Sequence, residues 1–374
     1  MVPECAPAGR NAPVVKAKRD GSAAMTLEWR MASDALTAPR RSRRGSGAVT
    51  LHDVAKLAGV APITASRAVN TPDQVSEEVR RKVGEAIART GYVPNRLAGG
   101  LASARSRLVA AVVPTIAGPV FQETVQSLTE ALAARGYQLM LGQSGYAGNR
   151  EDALLEAIIG RRPDGIVLTG IMHSADGRRR LLASGIPVVE TWDLTPTPID
   201  MLVGFSHVDV GRAVAEFLHA RGRRRLAVVA GDDERAQRRL GAFQAAARAL
   251  GLGAVREVVV PAPTTLRSGR AAMATLMQVP GEVDAVFCSS DLLALGVMTE
   301  ARALGIFVPG TLAVVGFGDL EFAADLHPAL TTVRIDGGAI GRQAAQFIVD
   351  RAEGRAVEQR VLDIGFSVID RLSA

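Results

Sequence analysis

Apolar residues follow a helical spacing from about position 50 to position 90 and fall into short continuous runs after position 108. In the first stretch Val54, Leu57 and Ala58 share one face of a first helix, and Ala65 and Val69 one face of a second. Val75, Val79, Val83 and Ile87 form the stripe of a third. Thr50 with Asp53 three residues later predicts the start of the first helix, and Gly59 its left-handed end, with Val60 plugging the angle before the next. Pro62 suits the opening turn of the second helix, and Ser76 followed by Glu77 and Glu78 caps the third. Two short helices joined tightly at a glycine predict a helix-turn-helix, with Ile63, Thr64, Ser66 and Arg67 left outward on its second helix.

From Leu108 onward the apolar runs predict strands at Leu108–Pro114, Gln138–Gly142, Gly165–Thr169, Pro187–Thr191, Arg225–Ala230, Ala254–Val260, Ala285–Ser289, Leu312–Gly316 and Thr331–Ile335. Between them, helical spacing covers Gln122–Arg135, Glu151–Gly160, Asp209–Arg221, Arg238–Leu250, Ser268–Met277 and Leu292–Leu304. Mostly continuous apolar runs predict parallel strands with helices on both faces. About 260 residues is long for one such sheet, so two similar lobes are expected, with a ligand between them at the carboxyl ends of the strands. The fold class is therefore α/β: an N-terminal helix-turn-helix domain followed by a two-lobed core of doubly wound parallel sheets.

Composition and charge add a partner. The 374-residue chain carries a net charge of +6 with 48% hydrophobic residues, ample for a large core. Arg40, Arg41, Arg43 and Arg44 precede the helix-turn-helix, and Arg80, Arg81, Lys82, Arg89, Arg96, Arg105 and Arg107 follow it, as phosphate contacts require. Residues 1–47 lack apolar periodicity and any run long enough for a signal peptide or membrane helix; they are expected to be a disordered tail, with translation beginning at Met25 or Met31. The division expected is 1–47 tail, 48–93 helix-turn-helix domain, 94–107 hinge or linker and 108–374 core. Cys5 and Cys288 do not suggest a disulfide framework, which fits a reducing cytoplasm and association with the nucleoid. The chain has no phosphate-loop motif, no Gly-X-Ser-X-Gly elbow and no His/Cys metal cluster, so no catalytic residue, cofactor or metal is expected, and an enzyme is disfavoured. His173 and His207 are isolated in sequence, and core or surface roles are expected of both.

The run from Thr50 to Asn70, together with Gly91–Asn95, resembles the LacI family of transcriptional repressors, and the likeness extends from Val49 to about Val368. That resemblance implies a periplasmic-binding-protein-like core with an effector in its cleft, in a homodimer or higher oligomer on double-stranded operator DNA. It places Pro62 and Ile63 where the family selects its operator, and Arg67 at a base-contacting position. Thr64, Ser66 and Asn70 are expected at phosphates, and Thr50 is expected among the DNA-binding residues. Ala61 departs from the usual capping Ser. Residues 95–102 resemble the family's hinge helix, which implies that Leu101 wedges into the minor groove with Asn95 and Arg96 beside the backbone; Gly99 and Gly100 predict a segment unfolded away from DNA.

For the effector, the resemblance points to Arg239 as a carboxylate clamp and to Asp193 and Asp291 as acceptors from sugar hydroxyls, with Ser290 at an effector-binding position where many members have Asn; Thr115 and Phe121 are expected as walls. Gly318 stands where many members have Asp. Runs such as Val188–Asp193 and Leu362–Phe366 resemble gluconate-operon repressors, which favours gluconate or a related aldonate among sugars and sugar acids. The sign of the response, induction or corepression, stays open. The alternative is a receptor-like sugar-binding protein without a DNA role; the helix-turn-helix and the missing secretory signal argue against it.

Overall fold

The computed structural model describes residues 49–93, 106–146, 148–279 and 282–374, which form two compact units. The hinge positions Asn95, Arg96 and Leu101 and the tail 1–47 lie outside the described residues.

The first unit is built on α1 (Leu51–Ala58), α2 (Pro62–Asn70) and α3 (Glu77–Thr90). Thr50 and Asp53 form a reciprocal capping box, the hydroxyl accepting from the Asp53 amide and the carboxylate accepting from the Thr50 amide at 2.9 Å. Gly59 ends α1 at φ 66°, a left-handed turn that glycine adopts without a Cβ clash, and Ser76 caps α3. The buried stripe is Val54 and Ala55 of α1, Ala65 of α2, and Val83 and Ala86 of α3. Leu57, expected inside, is 43% exposed. With Val54 and Ala55 centring the inward face of α1, a residue three positions on falls at its flank, and three short helices offer nothing large enough to cover it.

The second unit alternates strand and helix: β1 (Leu108–Val113), α4 (Gln122–Ala133), β2 (Gln138–Gln143), α5 (Gly148–Ile159), β3 (Gly165–Thr169), α6 (Ala175–Ser184), β4 (Val188–Thr191) and β5 (Met201–Gly204). It continues through α7 (His207–Ala220), β6 (Leu226–Gly231), α8 (Glu234–Ala249), β7 (Arg256–Val260), α9 (Leu266–Leu276), β8 (Ala285–Cys288), α10 (Asp291–Ala303) and β9 (Ala313–Val315). The end is α11 (Phe322–Asp325), β10 (Thr332–Arg334), α12 (Gly337–Ala352), β11 (Val361–Asp363) and β12 (Ser367–Ile369).

One lobe is a six-stranded parallel sheet in the order β11-β5-β4-β3-β1-β2, and the other a four-stranded parallel sheet in the order β7-β6-β8-β9. An antiparallel β10–β12 pair departs from the otherwise parallel pairing. The chain passes between the lobes at 204–207, 334–337 and 363–367, and α12 packs against α4 to complete the first lobe. The predicted strands all form, within one to two residues at their ends. β5, β11 and β12, of three or four residues each, were not anticipated, because runs so short carry no readable period. A single apolar cluster runs through both lobes, from Val109 and Leu128 through Phe205 to Phe243 and Phe287.

Candidate functional site

Both sheets end at one cavity of about 860 Å³. Its walls are the segments that leave the strands at their carboxyl ends: Pro114 and Thr115 after β1, Gln143–Tyr146 after β2, Thr169–Met172 after β3, Asp193 after β4, Asp232–Arg235 after β6, and Ala262 and Pro263 after β7. Arg150 and Glu151 of α5 complete the lining. In open parallel sheets this is where helix N-termini and free loop amides converge, so ligands gather there.

A ladder of rings runs from Phe121 to Phe317. Phe121 meets Trp192 edge-on at 5.1 Å, Trp192 meets Phe205 at 5.9 Å, and Phe205 faces Phe317 at 6.2 Å. Trp192 adopts φ 63°, a region a bulky side chain enters only when its surroundings hold it there. Its Nε1 donates to Thr124 Oγ1 at 3.0 Å and its carbonyl accepts from His207 Nε2 at 2.9 Å. Gly204 allows this turn: a Cβ there would stand 1.9 Å from the Asp193 carbonyl oxygen.

Three arginines stand near the start of α8, and two of them, Arg235 and Arg238, reach from the second lobe to the first. Arg235 donates to the Thr169 carbonyl at 3.3 Å and lies over the Phe121 ring. Arg238 pairs with Asp193 at 3.2 Å and touches Met172 Sδ. Arg239 is buried; its Nη1 donates to His207 Nδ1 at 2.9 Å, its Nη2 to the Ser289 carbonyl at 3.2 Å, and its guanidinium carbon lies 3.9 Å above the Phe317 ring centroid. Arg239 Nε is buried without a hydrogen-bond partner. Burial draws the Arg239 pKa down to about 10, which leaves it charged at neutral pH. Burial, then the neighbouring Arg239 charge, holds His207 well below the usual imidazole range. A carbonyl facing Nε2 fixes the proton there, so Nδ1 is free to accept from Arg239.

The other expected effector residues divide. Thr115 and Asp193 line the cavity; Thr115 Oγ1 accepts from the Ala117 amide, and burial raises the Asp193 pKa. Phe121 lines a neighbouring groove of about 400 Å³ together with Ile116 and Val125. Ser290 caps α10 and shares its hydroxyl with Thr264 at 2.9 Å. Asp291 is fully buried and accepts from Thr332 Oγ1 at 2.5 Å and the Leu320 amide at 2.7 Å, tying the start of α10 to the loop after β9. Burial pushes its pKa up to about 6 against those two bonds. Gly318 beside it has φ 128°, a conformation that L side chains rarely adopt.

Sequence reasoning missed Arg235, Arg150, Glu151 and the Asp232–Asp233 pair. The signal available was position: each follows the carboxyl end of a strand or opens the next helix.

On the first unit, α2 presents Pro62, Ile63, Arg67 and Asn70 to solvent, with Thr64 and Ser66 half-buried. Ile63 is 63% exposed, a large apolar group on the face opposite buried Ala65. A small helical domain with a capped first helix, a glycine turn and such a face matches how a recognition helix is offered to a major groove.

Residues 50–95 match the family model of bacterial regulatory proteins of the lacI family, and residues 215–374 match that of the periplasmic binding protein-like domain. The HTH-type transcriptional regulator GntR of Pseudomonas aeruginosa is 37% identical over 340 residues, covering 90% of this chain and 99% of that protein. The chain belongs to the LacI family. Among solved structures, a LacI-family regulator from Silicibacter pomeroyi superposes with a TM-score of 0.83 at 30% identity, over 87% of this chain and 99% of that one. The transcriptional regulator CelR in complex with cellobiose superposes with a TM-score of 0.62 at 33% identity, over 87% of this chain and all of that one. As a LacI-family member the chain is a DNA-binding transcriptional regulator, with the family's DNA-binding domain at residues 50–95 and its periplasmic binding protein-like domain in the second unit. Among the described residues no helix is long and apolar enough to cross a membrane, and no group of three or more His, Cys, Asp or Glu is arranged to hold a metal ion.

Proposed function

We propose that this regulator is a dimeric repressor whose hold on a pseudo-palindromic operator is governed by a small sugar or sugar acid, with gluconate or a related aldonate as the favoured effector. The observation that carries this reading is the cavity at the strand ends of both sheets, lined by Arg235, which donates across to Thr169, and by Asp193, which pairs with Arg238. A ligand there touches both lobes at once, so its binding energy depends on how the lobes are set. The P. aeruginosa relative bears the name GntR, and the CelR structure holds cellobiose, which supports a carbohydrate-derived ligand.

An aldonate suits the charges. Its carboxylate takes an arginine fork bidentately, from Arg239 or from Arg238 once released by Asp193, and its hydroxyls donate to the freed Asp193. Thr115 bounds the ligand, Phe121 carries the cavity-lining Arg235 on its ring, and Ser290 and Asp291 fix the start of α10. At the DNA, Pro62, Ile63 and Arg67 read base edges, and Thr50, Thr64, Ser66 and Asn70 hold phosphates. The change of lobe setting reaches DNA through residues 94–107, where Asn95, Arg96 and Leu101 take the roles their sequence implies.

The test is direct. Operator sequences are selected from random duplexes, and binding is followed by fluorescence anisotropy with D-gluconate, D-galactonate, D-glucose and cellobiose. A shift in operator Kd of tenfold or more with one of them is expected. Binding without sequence preference, or indifference to all four, sinks the reading.

A further inference from the structure

A second cluster of charge lies against the cavity. His173, on the loop after β3, has a side chain only 3% exposed and is held between two carboxylates: Glu151 Oε1 is 2.5 Å from its Nδ1 and Glu190 Oε1 is 3.3 Å from its Nε2. Glu190 lies on β4, fully buried, and its other oxygen accepts from the Ile199 amide at 2.6 Å. Glu151 sits in the first turn of α5, one-fifth exposed, and faces the cavity.

We propose that Glu151, clamped by a protonated His173, reads a hydroxyl group of the effector and so selects polyhydroxylated ligands over their deoxy counterparts. This rests on the reading that the effector occupies this cavity.

The geometry assigns the roles. Glu190 is fixed by the sheet and the Ile199 amide and faces His173 Nε2 as a charge partner, with no hydrogen bond between Oε1 and Nε2, while the bond at Nδ1 holds Glu151. A carboxylate has about four lone-pair sites, so one bond to His173 leaves acceptor capacity toward the cavity. Two carboxylates around one imidazolium leave one net negative charge, placed at a helix N-terminus that favours it. A ligand hydroxyl meets an acceptor already oriented, while a deoxy ligand leaves that acceptor desolvated and unpaired.

The charged groups around His173 come from three elements: Glu151 and Asp152 of α5, Glu190 of β4, and Arg238 of α8, which touches the adjacent Met172. Burial opposes the imidazolium, yet the two carboxylates together outweigh it and push the His173 pKa up to about 9. Above that pH a neutral ring has one N–H for two acceptors, and Glu151 turns an unbalanced charge toward the ligand.

The experiment uses the full chain. Calorimetric titration with D-gluconate at pH 7 is run on wild type, on Glu151→Gln, which touches only a partly exposed group, and on the double variant His173→Gln, Glu190→Gln, which leaves no buried charge behind. Both variants are expected to bind about 10- to 100-fold more weakly, and wild-type affinity is expected to fall between pH 8 and pH 10 while the double variant stays flat. Histidine NMR on unliganded protein supplies a readout independent of effector identity: the resonance absent from the double variant should titrate near pH 9 and drop by at least one unit in Glu151→Gln. Variants binding within twofold of wild type, a flat wild-type pH profile, or a His173 titration below pH 7 each overturn the proposal. Failure of wild type to bind D-gluconate counts against the proposed effector, and the NMR titration then decides the clamp alone.

Discussion

Arg239 Nη1 donates to His207 Nδ1 across 2.9 Å, a bond that exists only because the His207 proton is held on Nε2 by the Trp192 carbonyl. The pair links the β4 end of one lobe to α8 of the other. Two residues 32 positions apart thereby orient the guanidinium that the proposed function assigns to the effector.

Removing the ring leaves a buried guanidinium N–H without its acceptor. His207→Ala is expected to cost about 1–3 kcal/mol of stability in urea unfolding, whereas His207→Asn, which offers an amide oxygen near the Nδ1 position, should cost less. Equal losses in the two variants would show that only packing matters there.

Arg67 is exposed on α2 four residues beyond Ile63. If it forks onto a guanine, Arg67→Ala removes about 1–3 kcal/mol of discrimination at one operator position and leaves binding to scrambled duplex nearly unchanged. Anisotropy titrations on matched and scrambled DNA check this; parallel weakening on both would place Arg67 at a phosphate instead.

Two glycines should respond in opposite directions to alanine. Gly204→Ala drives a Cβ to within 1.9 Å of the Asp193 carbonyl oxygen, and the forced backbone shift is expected to cost on the order of 1–3 kcal/mol or more and to disturb the cavity. Gly84 lies inside α3 with nothing within 4 Å of the added carbon, so Gly84→Ala should stabilise by about 0.5–1 kcal/mol. Thermal unfolding of both variants suffices.

His173 also links stability to pH. Its folded pKa of about 9 lies above the ordinary 6.5, so the folded state binds the proton more tightly than the unfolded chain does. The stabilisation is fully present below pH 6.5 and is lost as pH rises through 9. Urea midpoints measured from pH 6 to pH 10 should fall across that window in wild type, and much less in the His173→Gln, Glu190→Gln variant. A wild-type midpoint that rises with pH there contradicts the assignment.

The recognition helix was legible because everything that builds it is local: Thr50 with Asp53, Gly59 and Pro62 act within one or two turns of themselves. The lobes were legible through the apolar runs, although the edge strand β2 is largely exposed and the three-residue β11 and β12 left no pattern. The effector side was read less completely. Position after a strand pointed to Thr115 and the family resemblance to Asp193 and Asp291, but Asp193 is taken by Arg238 and the Asp291 carboxylate by Thr332, 41 residues away. His207 and His173, isolated in sequence, each turn out to hold a charged neighbour in place.

By itself the sequence determined the three N-terminal helices, the longer strands of the two lobes and most of the helices between them, and that two kinds of unit follow one another, because period, caps and breakers act over a few residues of backbone. Only the tertiary structure decided which charged side chains face the cavity and which are consumed by internal partners. A buried carboxylate or imidazole takes its protonation and direction from whatever folding brings within a few ångströms, and no local pattern records that choice.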